Sequence, residues 1–332
     1  MSGETAKGEM EVEDPSTSAA ALQRIPCADE INALKRKALE LRIDTLEMLA
    51  KPNSGHVKAS FSEMDILVAL YHGGVLHHDA ANPLLEDRDR FILSKGHGAP
   101  GLYSVLADRG YFPKERLGTL RQIGGLSGHT LYGNAPGIEA TTGALGQGIA
   151  VALGRADYAK RFGKPWMVYC MIGDGENQEG VVSGEVAWAA PSLGLGNLVV
   201  IRDRNGLQND TYTSAYVKHD AVPEALRSYG WQVIKLADGH EYGELLTILR
   251  GVKEETSHRT QPVFIDAPTI GGKDGYHLRS AEGEFTFDRE CADPANSFSI
   301  ENNPTFHGAL PNKKIVQDMI AHMRMRLDHG VY

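Results

Sequence analysis

The chain has 332 residues, of which 42% are hydrophobic and 37 are glycine, so it is long enough for a large buried core with many tight turns. Its formal charge of -9 is spread along the chain rather than concentrated in blocks, and this gives no indication of nucleic-acid or anionic-membrane binding. No apolar run approaches the roughly 18 residues that a membrane-spanning helix needs. These properties favour a globular protein with neither nucleic acid nor membrane as a partner.

The N-terminal residues 1–22 are rich in Glu, Ser, Thr and Ala and have little hydrophobic periodicity. We therefore expect a mobile tail there, followed by one large domain over residues 23–332. The tail lacks the basic start and apolar stretch of a secretion signal. The cysteines, Cys27, Cys170 and Cys291, are widely spaced and form no CxxC pair, so a reducing, cytoplasmic setting is the simplest interpretation.

Amphipathic stretches and short apolar runs alternate along the rest of the chain. Apolar residues at helical spacing predict helices within residues 31–50, 60–76, 147–162, 184–194, 219–230 and 241–255. Apolar runs that end in glycine or polar turns predict strands within residues 88–98, 165–180, 197–206, 231–240 and 262–270. This alternation predicts an α/β fold with a parallel sheet covered by helices on both faces, where ligands bind beyond the carboxyl ends of the strands.

Polar residues follow two of the predicted strands at the point where each strand ends. Asp174 stands in a Gly-Asp-Gly turn after one buried strand, and Asn205 stands in an Asn-Gly turn after the next. Adjacent strand ends lie close together, so the Asp174 carboxylate, the Asn205 amide oxygen and the Leu207 carbonyl could converge as hard ligands for Mg²⁺. Gly175 would let backbone N–H groups approach a diphosphate. Two ordinary polar turns are the alternative interpretation.

The two turns together resemble the thiamine-diphosphate motif, in which GDG is followed by a later Asn. Other segments resemble the N-terminal part of transketolases and occur in the family order: NSGHVKAS, FILSKGHGAPGLY, LSGHT, TTGALGQGIAVALG, GDGENQEG, NLVVIRDRNGLQND, LADGHEYGELLTIL and ENNPTFHG. The resemblance covers about residues 32 to 312 and implies the thiamine-diphosphate-binding fold, with thiamine diphosphate and Mg²⁺ as cofactors. The GALGQG segment lacks the G-x-G-x-x-G spacing of a dinucleotide loop.

The resemblance also implies roles for four histidines. His56, His97, His129 and His307 match active-site histidines of transketolases, which contact the diphosphate or the oxygens of the donor sugar and assist proton transfer. Neutral imidazole suits that role because it can donate and accept hydrogen bonds near neutral pH. No pair of these histidines has the short spacing that is typical of zinc ligands.

Further residues match segments that contact the cofactor in the family. The implied cofactor contacts are His97, Gly143, Leu145, Gly173, Gly175 and Asn205. Glu179 matches a family glutamate implicated in proton communication across the subunit interface. A solvated glutamate at the start of a helix is the alternative interpretation of that residue.

Two internal segments depart from the family pattern. The segment between GDG and the later Asn is one residue longer near GVVSGE, so Glu185 is given no role. The link before ENN is expanded over residues 271–300, where a tolerated surface loop and a lid at the mouth of the site are both plausible. In the lid hypothesis, His277 and Arg279 would make its polar contacts to a phosphate or a partner carboxylate.

The chain also ends soon after ENNPTFHG, without a segment that resembles the family's pyrimidine-binding domain. We therefore expect a separately encoded C-terminal transketolase subunit as partner, in a heterotetramer that transfers a two-carbon ketol unit from a ketose donor to an acceptor. The substrates would be sugars or sugar phosphates. The alternatives are a 2-oxoacid-decarboxylating relative, a specialised transferase that delivers its two-carbon unit to a carrier protein, and a non-catalytic regulatory subunit.

Overall fold

The structure is a computed structural model, and it describes residues 25–209, 211–217, 221–303 and 310–332. The expected tail over residues 1–22 and the expected site residue His307 lie outside the described residues. No helix in the described ranges is both long enough and apolar enough to cross a membrane.

The described chain alternates between helices and strands. The helices are α1 (Ala28–Ala50), α2 (Val57–Ser62), α3 (Met64–Tyr71), α4 (Ala99–Asp108), α5 (Gln147–Arg161), α6 (Ala187–Ser192), α7 (Val222–Tyr229), α8 (Tyr242–Glu254) and α9 (Lys313–Asp328). The strands are β1 (Arg90–Leu93), β2 (Val168–Gly173), β3 (Leu198–Arg204), β4 (Leu207–Gln208), β5 (Thr211–Tyr212), β6 (Gln232–Lys235), β7 (Val263–Pro268), β8 (Tyr276–His277) and β9 (Phe298–Ser299). Each predicted strand segment contains a strand, and each predicted helix segment contains helix, although two of the helices are interrupted or begin later than predicted.

Five strands form a parallel sheet in the order β1-β2-β3-β7-β6. The register places Phe91 beside Tyr169, and Tyr169 beside Val199. Successive residues of a strand point to opposite faces, so Tyr169 packs in the core with α1, α3, α4 and α8, while Cys170 packs in the core with α5 and α6. The predicted parallel sheet with helices on both faces is confirmed, and it places the ends of β1, β2 and β3 at one edge.

The helix predicted over residues 60–76 is two helices that meet at Glu63. The Glu63 side chain is fully buried between them and pairs with Lys95, whose ammonium lies 2.9 Å from Glu63 Oε2. Space beside this carboxylate is tight, since a Cβ atom added at Gly98 would lie 2.3 Å from Oε2. A buried ion pair therefore sits at the point where the hydrophobic pattern alone suggested one continuous helix.

The expanded segment over residues 271–300 packs against α9 rather than standing over the site. Within it, Arg279 lies 3.9 Å above the centre of the Phe285 ring and 3.0 Å from Asp318 of α9. His277 is 5% exposed and stacks near Phe298. The structure thus differs from the lid hypothesis for His277 and Arg279. Both side chains contact residues of the expanded segment itself, and Arg279 also contacts α9.

Candidate active site

A cavity of about 360 Å³ lies at the carboxyl ends of β1, β2 and β3. The sequence-predicted residues that line it are His56, His97, His129, Gly143, Leu145, Asp174, Gly175, Glu179, Asn205 and Leu207. Gly173 ends β2 directly before Asp174 and does not line the cavity itself. The parallel sheet explains part of this convergence, because the turns that carry His97, Asp174 and Asn205 follow β1, β2 and β3 at the same edge.

The two polar turns meet at one end of the cavity. Asp174 Oδ2 accepts a hydrogen bond from the backbone N–H of Gly206 at 2.6 Å, which joins the end of β2 to the turn after β3. Asn205 Oδ1 accepts from the N–H of Leu207 at 2.9 Å and so holds the turn in shape. Gly206 has a φ of +74°, a left-handed conformation that glycine adopts without strain.

Burial raises the pKa of Asp174 to about 6, because the carboxylate is removed from water. The guanidinium of Arg202 and the hydrogen bond from Gly206 oppose this effect without cancelling it. A bound cation would stabilise the carboxylate further. The buried acid therefore fits a metal ligand better than a polar turn residue that needs only water.

The donor set is poor in charged ligands. Among the described residues, no group of three His, Cys, Asp or Glu side chains could hold a metal ion. Asp174 would be the single carboxylate, with the Asn205 amide and the Leu207 carbonyl as neutral oxygen donors. Magnesium commonly takes one or two carboxylates and completes its shell with phosphate oxygens and water, so the set fits Mg²⁺ bound to a diphosphate.

Three histidine rings cluster at another part of the cavity wall. The His56 ring centre lies 5.3 Å from that of His97 and 5.8 Å from that of His129. Tyr103 donates a hydrogen bond to the His129 carbonyl oxygen at 3.1 Å, which fixes the local backbone. Burial, together with the positive charge of Arg121, lowers the pKa of His129 and favours its neutral form.

The turn before α5 approaches the cavity closely. A Cβ atom added at Gly143 would meet no atom within 4 Å, so its backbone faces open space in the cavity. At Gly146, which has a φ of +80°, an added Cβ would lie 2.8 Å from Glu179 Cβ. Glu179 and Leu145 are exposed at this rim, Leu145 by 40%. The cavity is thus open to solvent on the side of α5.

Glu176 is a further cavity residue that the sequence analysis did not single out. It is 1% exposed, and its carboxylate accepts hydrogen bonds from Gly146 N at 3.1 Å and from Gly173 N at 3.0 Å. The Ser94 hydroxyl also donates to it. Burial raises the pKa of Glu176, and these donors oppose the rise. Glu176 thereby fastens the turn before α5 to the end of β2.

A buried cluster of charged side chains, Lys95, Asp203 and Glu63, lies behind the cavity and was not predicted from the sequence. Lys95 pairs with Asp203 and Glu63 and donates to the Ala59 carbonyl oxygen at 3.0 Å. Asp203 Oδ2 also accepts from the Ser62 hydroxyl at 2.6 Å. The cluster links the segments that carry His56, His97 and Asn205, and these segments are far apart in sequence. A lysine in LSKGH and an aspartate at the end of a strand were its sequence signals.

Comparison with known sequences places these residues in a family. Residues 34–306 match the profile described as "Transketolase, thiamine diphosphate binding domain". Over 241 residues the chain is 38% identical to the 6-deoxy-6-sulfo-D-fructose transketolase subunit SqwG of Clostridium sp. strain MSTE9, which covers 72% of this chain and 86% of that protein. It is 37% identical over 254 residues to transketolase 1 of Vibrio cholerae, covering 73% of this chain but 37% of that protein.

Solved structures give the same result. The transketolase from Leishmania mexicana superposes with a TM-score of 0.72 at 26% identity, covering 90% of this chain and 45% of that chain. The transketolase from Campylobacter jejuni also gives a TM-score of 0.72 at 26% identity, covering 92% of this chain and 46% of that chain. The chain thus spans less than half the length of these transketolases but most of the SqwG subunit. It belongs to the transketolase family, as a protein of the thiamine-diphosphate-binding domain type.

Proposed function

We propose that this chain is the diphosphate-binding component of a two-subunit transketolase, which transfers a two-carbon ketol unit from a ketose donor to an acceptor. Sugars or sugar phosphates would be the substrates. The observation that carries this proposal is the single cavity in which Asp174, Asn205 and Leu207 meet the cluster of His56, His97 and His129. One part can hold a metal diphosphate while the other faces a substrate.

The part of the cavity that contains Asp174, Asn205 and Leu207 would hold the cofactor. The Asp174 carboxylate, the Asn205 amide oxygen and the Leu207 carbonyl would bind Mg²⁺, and Gly175 and His97 would contact the diphosphate. Gly143, Leu145 and Gly173 belong to the segments that would lie against the cofactor. When bound, thiamine diphosphate supplies the electron sink that allows a ketose to release a two-carbon unit.

The histidine cluster would bind the donor substrate and transfer protons to and from it. A neutral His129 can donate a hydrogen bond through one ring nitrogen and accept through the other. His97 and His129 both lie close enough to His56 for the three rings to bind neighbouring oxygens of one small sugar. His307 is proposed as a fourth member from the sequence resemblance. Together these groups would orient the donor and take or return protons at its oxygens.

A second subunit would complete the site. Three apolar side chains are exposed: Leu145, which lines the cavity, by 40%, Val151 on α5 by 38% and Trp188 on α6 by 63%. Glu179 stands at the same rim, where a glutamate could relay protons between subunits. We infer that this surface binds a separately encoded subunit carrying the pyrimidine-binding domain, in a heterotetramer. The relative SqwG is itself named as a transketolase subunit.

The cysteines bear on the compartment in which this assembly would work. Cys27 and Cys291 are exposed and free, and Cys170 is buried and free. Exposed unpaired thiols suit a reducing environment. We therefore propose a cytoplasmic location.

The test is reconstitution with a candidate partner that carries a pyrimidine-domain sequence. We expect no ketose-to-aldose transfer by the purified chain with Mg²⁺ and thiamine diphosphate, and transfer when the partner is added. The coupled assay would follow aldose release from ketose donors. Transfer by the chain alone, free of contaminating enzyme, would refute the two-subunit proposal. Failure of every reconstituted mixture to cleave a ketose would refute the transketolase activity.

A further inference from the structure

Lys58 is a buried cation in the wall of the active-site cavity. It stands two residues after His56, in the first turn of α2, and lines the cavity although the whole residue is only 2% exposed. Among the described residues that line this cavity, it is the single lysine or arginine. A positive charge in so enclosed a position costs free energy unless negative charge or hydrogen-bond acceptors compensate it.

The stem of Lys58 lies on the side of the metal ligands. Its carbonyl oxygen accepts from the N–H of Gly272 at 3.2 Å, and a Cβ atom added at Gly272 would lie 3.3 Å from Lys58 Cγ. The adjacent Gly271 packs against Leu207, since a Cβ added there would lie 2.6 Å from Leu207 Cδ1. The turn at 271–272 thus joins the wall that carries Lys58 to the wall that carries the proposed metal ligand Leu207.

The head of Lys58 is held at the cavity wall. Its Nζ donates a hydrogen bond to the carbonyl oxygen of Asn303, three residues beyond the expanded segment. A lysine ammonium carries three N–H donors and no acceptor, so its ligands are oxygens, and anionic oxygens bind it most strongly. The position therefore suits a contact to an anionic group of whatever molecule fills the cavity.

Three acidic residues line the cavity, and the third of them, Glu179, is exposed at the rim. Asp174 belongs to the proposed metal set, and Glu176 already accepts from Ser94 and two backbone N–H groups. A diphosphate bound with one Mg²⁺ still carries net negative charge. A second cation beside the metal would offset part of that charge, in a cavity where water screening is reduced.

We propose that the Lys58 ammonium binds an anionic oxygen of the cavity ligand, and that this oxygen belongs to the diphosphate of the cofactor. An anionic group on the donor substrate is the other source with the same chemistry. The proposal rests on the proposed function, because it assumes that a metal diphosphate occupies this cavity. It assigns to Lys58 a binding role for which the sequence analysis gave no indication.

The test uses two variants that remove the charge. Lys58→Met keeps the length of the side chain, and Lys58→Gln keeps an N–H donor for the Asn303 carbonyl oxygen. Isothermal titration with Mg²⁺ and thiamine diphosphate, and separately with Mg²⁺ and inorganic pyrophosphate, would be run on the full chain with its partner. We expect both variants to weaken both Kd values at least tenfold while the donor KM at saturating cofactor stays unchanged.

The same measurements distinguish a contact with the cofactor from a contact with the donor substrate. Unchanged cofactor affinity with a tenfold higher KM for a phosphorylated donor, but not for an uncharged ketose, would assign the contact to the donor. Folded variants with wild-type affinities and KM values would overturn the proposal. Lys313→Met removes an exposed lysine at the start of α9 and should leave all values unchanged. Failure of the wild-type protein to bind Mg²⁺ and thiamine diphosphate would instead reject the proposed function, and this proposal with it.

Discussion

The carboxylate of Asp174 is mostly buried directly after β2, where its charge lowers the stability of the fold, and we propose that it binds the metal. Burial raises its pKa to about 6, above the ordinary value of 3.8. Its main hydrogen-bond donor is the N–H of Gly206 at 2.6 Å, which an amide oxygen could accept equally well. A functional carboxylate here should therefore reduce the stability of the metal-free chain.

The variant Asp174→Asn separates these two effects. The folded pKa lies above the unfolded one, so this group's stabilising contribution is complete below about pH 4 and is lost as the pH rises through 6. We expect the metal-free variant to be about 3 kcal/mol more stable than wild type at pH 7 and nearly equal to it at pH 4. It should lose Mg²⁺-dependent binding of thiamine diphosphate. Urea unfolding at both pH values and titration calorimetry measure the two quantities.

An exposed acid provides the control for this comparison. Asp328→Asn, at the end of α9, changes the same charge on the surface and should show neither effect. A stability difference between wild type and Asp174→Asn that is the same at pH 4 and pH 7 would contradict the buried-carboxylate account. Retained Mg²⁺-dependent cofactor binding would exclude Asp174 as a metal ligand.

The positions of individual site residues could be predicted from the sequence where those residues come directly after a strand. Asp174, Asn205 and Leu207 could be brought together from the sequence because parallel strands end at one edge. Glu176 and Lys58 could not be assigned in this way. Their importance depends on partners such as Gly146 and Asn303, which lie 30 and 245 positions away in the sequence, and hydrophobic periodicity does not reveal such pairing.

The clearest departure at the level of elements is a π-helix over Val181–Val186, directly before α6. It coincides with the segment that the sequence resemblance predicts to be one residue longer than the family pattern. A π-helix bonds each N–H to the carbonyl five residues earlier and so contains one residue more per turn than an α-helix. A π-helix would therefore absorb the predicted extra residue locally. Beyond the π-helix, the Ala187 carbonyl still accepts from the Trp231 indole at 2.8 Å.

Deletion of Gly184 should convert this turn to an α-helical one. Gly184 is exposed, and an added Cβ there would meet no atom within 4 Å. Because both flanks keep their packing, we expect the free energy of unfolding to change by less than about 1 kcal/mol. The fluorescence of Trp231 should remain that of a buried indole. Chemical unfolding monitored by fluorescence and by circular dichroism gives both quantities.

A deletion within a regular helix is the matched comparison. Ala152 is fully buried in α5, and its loss would rotate all later residues of that helix by about 100°. Ala156 and Ala159 would then leave the core, so this variant should be strongly destabilised. Equal destabilisation by the two deletions would show that the π-helix is needed for the fold, rather than being a local accommodation.

The expanded segment shows why long insertions are hard to predict. Its glycines and aromatics suggested a loop that needs cover, and the structure supplies the cover from α9. His322 of α9 lies 5.5 Å from the Tyr276 ring and 5.6 Å from the Phe285 ring, and it hydrogen-bonds the Thr286 carbonyl oxygen at 2.9 Å. These contacts join residues about forty positions apart, and no local pattern encodes such pairing.

At the scale of the whole molecule, apolar side chains are exposed on the helices that follow the cavity-lining turns, and we propose that they bind the partner. The proposed partner surface consists of Leu145 before α5, Val151 on α5 and Trp188 on α6. Exposed apolar groups of this size next to a cavity are typical of a binding surface. Tryptophan contributes strongly to many protein interfaces because a large rigid ring loses all its water on burial.

The variant Trp188→Lys tests this surface. A lysine placed in a desolvated interface would lose hydration without a partner, so we expect the dissociation constant of the two-subunit complex to rise at least tenfold. Folding should be unaffected because the side chain is 63% exposed in the isolated chain. Leu84→Lys is the matched control, since Leu84 is 88% exposed in the segment before β1, at the amino end of that strand. Sedimentation velocity of each variant mixed with the partner measures assembly. Wild-type assembly by Trp188→Lys would place the partner elsewhere, whereas equal weakening by both variants would indicate a general effect of added charge.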